Sequence, residues 1–197
     1  MIDCIDGALF QRMIVHASAA INAQKQSINE LNVFPVPDGD TGTNMSLTIG
    51  TAAAEAKKKP SSSIGQAAST NASALLRGAR GNSGVILSLL FRGVAKSLKE
   101  MDTADGAAFA AALNEGVRAA YKAVMKPTEG TILTVSRLAA AAATEAAAEH
   151  NCAETVLEKA IAVGEVALAD TINQNPVLQK AGVVDAGGKG FLIILQG

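Results

Sequence analysis

Residues 32–45 read Asn-Val-Phe-Pro-Val-Pro-Asp-Gly-Asp-Thr-Gly-Thr-Asn-Met, and the organisation of the chain follows from them. Pro35 and Pro37 stiffen the backbone ahead of Asp38 and Asp40, which are separated by a single glycine. Thr41, Thr43 and Asn44 then stand where a long helical pattern begins. Carboxylates, hydroxyls and first-turn amides on so short a segment suit magnesium and phosphate. A plainer use is open to the same residues, with one aspartate capping the helix and the other decorating a Pro-Asp-Gly turn. A calcium loop is excluded. Gly42 stands where a third Asp or Asn belongs, Thr43 replaces the required glycine and Ile49 the closing glutamate.

On both sides of this segment the apolar spacing is helical. Ile2, Ile5, Leu9, Met13, Ala17, Ala20 and Ile21 predict a first helix from about Asp6 to Glu30. A second runs from near Thr43 to Lys58, with Lys57–Lys59 at its negative dipole end, before Pro60 breaks the pattern. Ile64–Leu76 and Asn82–Leu98 follow. A fifth helix starts from a cap at Thr103 or Asp105 and ends near Val124, and a sixth runs from Thr131 to about His150 after the Lys126-Pro127 breaker. The seventh covers Cys152–Ile172. After the Asn175-Pro176 turn, an eighth carries Phe191–Leu195. The aromatic fraction of 3% and the alanine-rich segments agree with closely packed helices, so an all-α single domain is expected from 197 residues.

Composition narrows the partners. Seventeen basic and eighteen acidic residues leave a net charge of −1, too little positive field to attract nucleic acid or an anionic membrane. A phosphate-bearing ligand would therefore need a metal. Cys4 and Cys152 lie far apart and no apolar signal core opens the chain, which predicts a reducing, cytoplasmic setting. Runs such as Leu138–Ala143 and Phe191–Leu195 are much shorter than the roughly 20 residues that cross a bilayer. The chain stops at Gly197, just after a strongly apolar segment, as a piece of a longer polypeptide would.

A second loop, Arg77-Gly-Ala-Arg-Gly-Asn-Ser-Gly84, offers Gly81, Asn82, Ser83 and Gly84 at a helix start as a phosphate cradle or as an ordinary turn. Arg77 or Arg80 could reach a phosphate from it. The usual nucleotide signatures are absent, because Gly188-Lys189 is followed by glycine and no Gly-x-Gly-x-x-Gly follows a strand. His16 and His150 lack the companions of a zinc site, and Ser83 those of a hydrolase triad.

Taken in order, residues 32–45, Gly78–Gly84, Pro127–Thr131 and Gly182–Gly188 resemble the nucleotide-binding loops of the dihydroxyacetone kinase L-subunit-like family, in its fatty acid kinase branch. The resemblance spans essentially all 197 residues. It implies an eight-helix antiparallel barrel holding ATP and two magnesium ions (Mg2+) in loops at one end. Position by position, it makes Asp38 and Asp40 the metal ligands through which catalysis runs. Asn32 completes the metal site, although the dihydroxyacetone branch has an aspartate at different spacing. Thr41, Thr43 and Asn44 face phosphates, Gly81 to Gly84 cradle them, Thr131 lies near the nucleotide, and Asp185 and Gly187 wall the ribose or base. The implied reaction is phosphoryl transfer to the carboxylate of a fatty acid presented by a separate fatty-acid-binding protein, giving acyl phosphate for phospholipid synthesis. Such a nucleophile is already ionised near neutral pH, its pKa lying around 4, so no histidine base is required. On this reading the chain binds ATP but phosphorylates acyl substrate poorly alone, and the full-length protein is a candidate homodimer. A dihydroxyacetone kinase L-type subunit and a non-catalytic nucleotide- or metal-binding module are the alternatives.

Overall fold

Acidic and hydroxyl side chains decide where most of the helices begin. The computed structural model describes residues 1–197 and carries α1 (Gly7–Glu30), α2 (Thr41–Lys58), α3 (Ile64–Gly78), α4 (Gly81–Leu98), α5 (Gly106–Ala123), α6 (Ile132–Glu149), α7 (Ala153–Gln174), α8 (Pro176–Ala181) and α9 (Ala186–Gln196). Asp6 caps α1 through the Leu9 amide, Asp105 caps α5 through Ala108 and Asp185 caps α9 through Gly188. Each oxygen satisfies an amide that the helix itself cannot. The eight long helices are those expected from the spacing. α8 is an additional short helix, opened by Pro176 at its first turn and ended by Gly182 in the left-handed region. α9 begins before Phe191, so Gly187, Gly188 and Gly190 are helical rather than part of a loop.

Ile2 and Ile5 do not extend α1. Residues Cys4–Asp6 form β1, paired antiparallel with β2 (Thr103–Asp105), Ile5 lying opposite Ala104 with both buried. This ribbon ties the starts of α1 and α5 together. At the same end, Gly7 N–H donates to Ser62 O at 2.8 Å, Ile64 N–H to Asp102 O at 3.0 Å and Ala153 N–H to Asp3 O at 3.1 Å. The helices that start here are therefore α1, α3, α5 and α7.

Each long helix packs against the next, and α9 closes the ring against α1 and α7. Because successive helices run antiparallel, α2, α4, α6 and α9 all start at the opposite end. One core of 44 buried apolar residues fills the ring, with Ile21, Met45, Ile49, Leu75, Leu87, Val135 and Leu192 among the most enclosed. Burying a side chain of that size contributes about 1.5–3 kcal/mol. The alanine run of α6 does more than favour a helix: Ala139, Ala140, Ala142, Ala143 and Ala146 are buried, and their small side chains let neighbouring helices approach. A small apolar cavity of about 180 Å³ remains inside the ring, between Phe10, Phe109 and Phe191. No helix is long and apolar enough to cross a membrane.

Candidate functional site: a cleft where four helices begin

The starts of α2, α4, α6 and α9 line a cleft of about 500 Å³. It brings together Asn32, Asp38, Asp40, Thr41, Asn44, Gly81, Asn82, Ser83, Thr131, Asp185 and Gly187, drawn from all four of the segments singled out in the sequence. Thr43 and Gly84 stand outside the lining. The Thr43 hydroxyl and amide are taken by Asn29, and a side chain at Gly84 would run into the Thr48 hydroxyl. Four helix N-termini converging on one opening put four positive dipole ends where an anion would sit.

The loop before α2 is held by amides. Asn32 Oδ1 accepts from Asp40 N–H at 3.1 Å, Thr41 N–H at 3.0 Å and the Thr41 hydroxyl at 2.8 Å, while its Nδ2 donates to Val36 O at 2.9 Å. With its oxygen accepting three donors, Asn32 fastens the loop, and a metal at this position would have to displace one of them. Asn29, unnoticed in the sequence, makes a reciprocal pair with Thr43, its Oδ1 accepting the amide and its Nδ2 donating to the hydroxyl, both at 3.0 Å. The first-turn amides of α2 are thus largely spent inside the protein rather than free for a ligand. The consequence falls on Asp40. It occupies the N-cap position of α2 but makes no capping bond, so its carboxylate is left to the cleft.

Neither Asp38 nor Asp40 uses its carboxylate in a hydrogen bond or an ion pair with the protein. No cluster of three His, Cys, Asp or Glu side chains forms anywhere in the chain. A pair of unpartnered carboxylates is a fair match for magnesium, which is commonly held by one or two carboxylates and completes its shell with water and substrate phosphate. It would not make a closed structural site.

α4 is the helix whose start is open. Its N-cap, Arg80, makes no side-chain capping bond, and the amides of Gly81, Asn82 and Ser83 have no acceptor in the protein. Gly81 has φ +59°, and a side chain there would occupy the place of the Asn44 amide group, so glycine is what lets α2 and α4 meet. The side chains of Asn44, Asn82 and Ser83 also have no protein partner. Arg77 and Arg80 do not line the cleft.

The far wall is made by α6, α9 and the loop of residues 124–131. Thr131 caps α6, and its hydroxyl donates to Thr128 O at 2.7 Å. Asp185 is 4% exposed and accepts from Gly188 N–H at 2.7 Å. Burial pushes its carboxyl up to about 6, against the amides of Gly188 and Ile132, which pull it down. Lys126 also lines the cleft, and is the only cation that does. In the sequence its Lys-Pro pair read as a helix breaker; the signal that could have found it is a cation four residues before the Gly130-Thr131 turn.

The profile of the DAK2 domain family matches residues 35–197. The chain belongs to the DAK2 domain family. Its relatives include uncharacterized proteins of Staphylococcus saprophyticus and Staphylococcus haemolyticus, each 47% identical over the whole chain, and of Staphylococcus aureus at 45%. This DAK2 domain spans 36% of the length of each. Among solved structures, the dihydroxyacetone kinase of C. freundii in complex with AMP-PNP and Mg2+ superposes with a TM-score of 0.74 at 18% identity, over all of this chain and 34% of that one. Its native form gives 0.69 at 21% identity over 96% of this chain and 33% of that one. The likeness is one of fold, the all-helical ring shared by both.

Proposed function

We propose that this DAK2 domain is the nucleotide-binding kinase unit of a longer protein, using ATP and magnesium to phosphorylate the carboxylate of a fatty acid brought by a separate fatty-acid-binding protein, as acyl phosphate for phospholipid synthesis. One observation carries the reading: the unpartnered Asp38 and Asp40 carboxylates and the three unbonded amides that open α4 line the same cleft. The AMP-PNP and Mg2+ of the C. freundii dihydroxyacetone kinase structure, a protein of the same fold, agree with it.

In this scheme Asp38 and Asp40 hold the metal, two ions being expected from the family resemblance. The ions would neutralise charge on the phosphate oxygens, the main catalytic need of phosphoryl transfer. Gly81, Asn82 and Ser83 donate their amides to the phosphates, and Asn44 and Ser83 add side-chain donors. Asn32 keeps the two aspartates in place. No histidine reaches the cleft, since His16 lies exposed on α1 and His150 ends α6 at the opposite end of the ring. A carboxylate acceptor suits such a site because it needs no base.

Titration calorimetry with ATP and magnesium tests the binding half. Asp38→Ala and Asp40→Ala are each expected to weaken magnesium-dependent ATP binding by at least about tenfold, the scale of losing one charged ligand. Undiminished binding in both variants would refute the site. ADP release by the full-length protein, measured with acyl-loaded binding protein and with dihydroxyacetone in turn, tests the acceptor; turnover with dihydroxyacetone alone would move the assignment to that class.

A further inference from the structure

Accepting the cleft as a magnesium-nucleotide site, its balance of charge points to a residue that nothing above gives a role. Three carboxylates, Asp38, Asp40 and Asp185, line it against the single ammonium of Lys126. Lys126 is exposed and takes part in none of the chain's five ion pairs or its side-chain hydrogen bonds. An unpaired lysine on a surface loop would ordinarily mean little. This loop, however, is fastened.

The fastening is a latch at Glu129. Its Oε1 accepts the Tyr121 hydroxyl at 2.9 Å, and its Oε2 accepts the Thr134 hydroxyl and the Arg137 guanidinium, each at 2.7 Å. Thr134 in turn accepts the Gly130 amide at 2.8 Å, and the Thr131 hydroxyl closes the turn on Thr128 O. Burial pushes the Glu129 carboxyl up, but the hydrogen bonds from Thr134, Arg137 and Tyr121 outweigh it and hold the group below its usual range, so the latch stays charged. Residues 128–131 are thereby tied to α5 and α6, and Pro127 limits the backbone between them and Lys126. The Tyr121 and Thr134 hydroxyls, the Glu129 carboxylate and the Arg137 guanidinium are all engaged in the latch. Arg137, the α6 cation beside the latch, is committed to Glu129 and Tyr121. Lys126 alone is left over, at the cleft.

We propose that Lys126 is the protein's own cation for the phosphate chain of the bound nucleotide, and that the Glu129 latch positions it. An ammonium acts on phosphate as a movable point charge, which suits the end of a flexible stem at the mouth of a cleft. The metals held by Asp38 and Asp40 would then carry one side of the phosphate chain and Lys126 another.

The test is calorimetry on the full-length protein with magnesium, titrating ATP and adenosine in turn into the wild type, Lys126→Met and Lys126→Arg. Methionine keeps the stem and removes the charge. Lys126→Met is expected to weaken ATP about tenfold while changing adenosine by less than about twofold, and Lys126→Arg to stay within about threefold of wild type for both. Wild-type ATP affinity in Lys126→Met overturns the proposal and leaves the reading of the cleft standing. So does an equal loss for ATP and adenosine, which would make the residue structural. Absence of ATP binding by the wild type itself would overturn both.

Discussion

Replacing Asp185 with asparagine isolates the energetic cost of a buried acid at the cleft wall. The ordinary pKa of 3.8 rises to about 6 because burial penalises the charged form more than the Gly188 and Ile132 amides favour it. That is a gap of about two pH units, and at about 1.4 kcal/mol for each it amounts to about 3 kcal/mol between the protonated and ionised folded states. The folded pKa lies above the unfolded one, so folding takes up a proton in this window. The stability that Asp185 contributes is fully present below about pH 3.8 and is lost as pH rises through about 6. Asparagine keeps an oxygen for the Gly188 amide and carries no charge at any pH. Its NH2 group costs about 1–3 kcal/mol if left unpaired in this buried place, but that cost does not vary with pH. Urea denaturation of both proteins without magnesium, in steps from pH 4 to pH 8, therefore reads the effect as a difference of differences. The Asp185→Asn variant should gain about 2.5 kcal/mol on the wild type between pH 4 and pH 8, part of the effect having already set in at pH 4, with the other carboxylates cancelling. A difference that stays flat within about 0.5 kcal/mol would refute the reasoning and mean that the two amides and the two helix ends outweigh burial.

Two further substitutions probe how the cleft is built. Asn32→Ala strands the Asp40 amide and the Thr41 amide and hydroxyl without an acceptor, and is expected to lower metal-free stability by about 2–4 kcal/mol in urea; an unchanged urea midpoint joined to lost magnesium binding would instead make Asn32 a ligand. Gly81→Ala forces a side chain to φ +59° and into the Asn44 amide group, so a loss of about 1–2 kcal/mol together with a several-fold drop in ATP affinity is expected, and wild-type binding would show that Asn44 need not lie where it does.

The helices were legible because their causes are local. Asp6, Ser63, Asp105, Thr131 and Asp185 each cap the helix that follows within two or three residues, and the apolar spacing does the rest. What escaped the sequence was non-local. The ribbon pairs Ile5 with Ala104 from opposite halves of the chain, so neither strand carries a signal of its own. Asn29 caps α2 from the end of the preceding helix, across a loop whose shape is set by Asn32. Asp40 sits at a helix start, where its usual task is capping, and only the takeover of that task by the two asparagines leaves it available.

By itself the sequence determined the all-helical class, the breakers, and an Asp-Gly-Asp segment that concentrates oxygen donors ahead of a helix. Where those donors go was a matter of tertiary structure. Short connections reverse the chain at each step around the ring, so alternate helices begin at the same end, and α2, α4, α6 and α9 deliver their N-termini to one cleft. That closure also decided which amides were spent and which were left open: those of α2 face the side chains of Asn29 and Asn32, whereas those of α4 face the cleft.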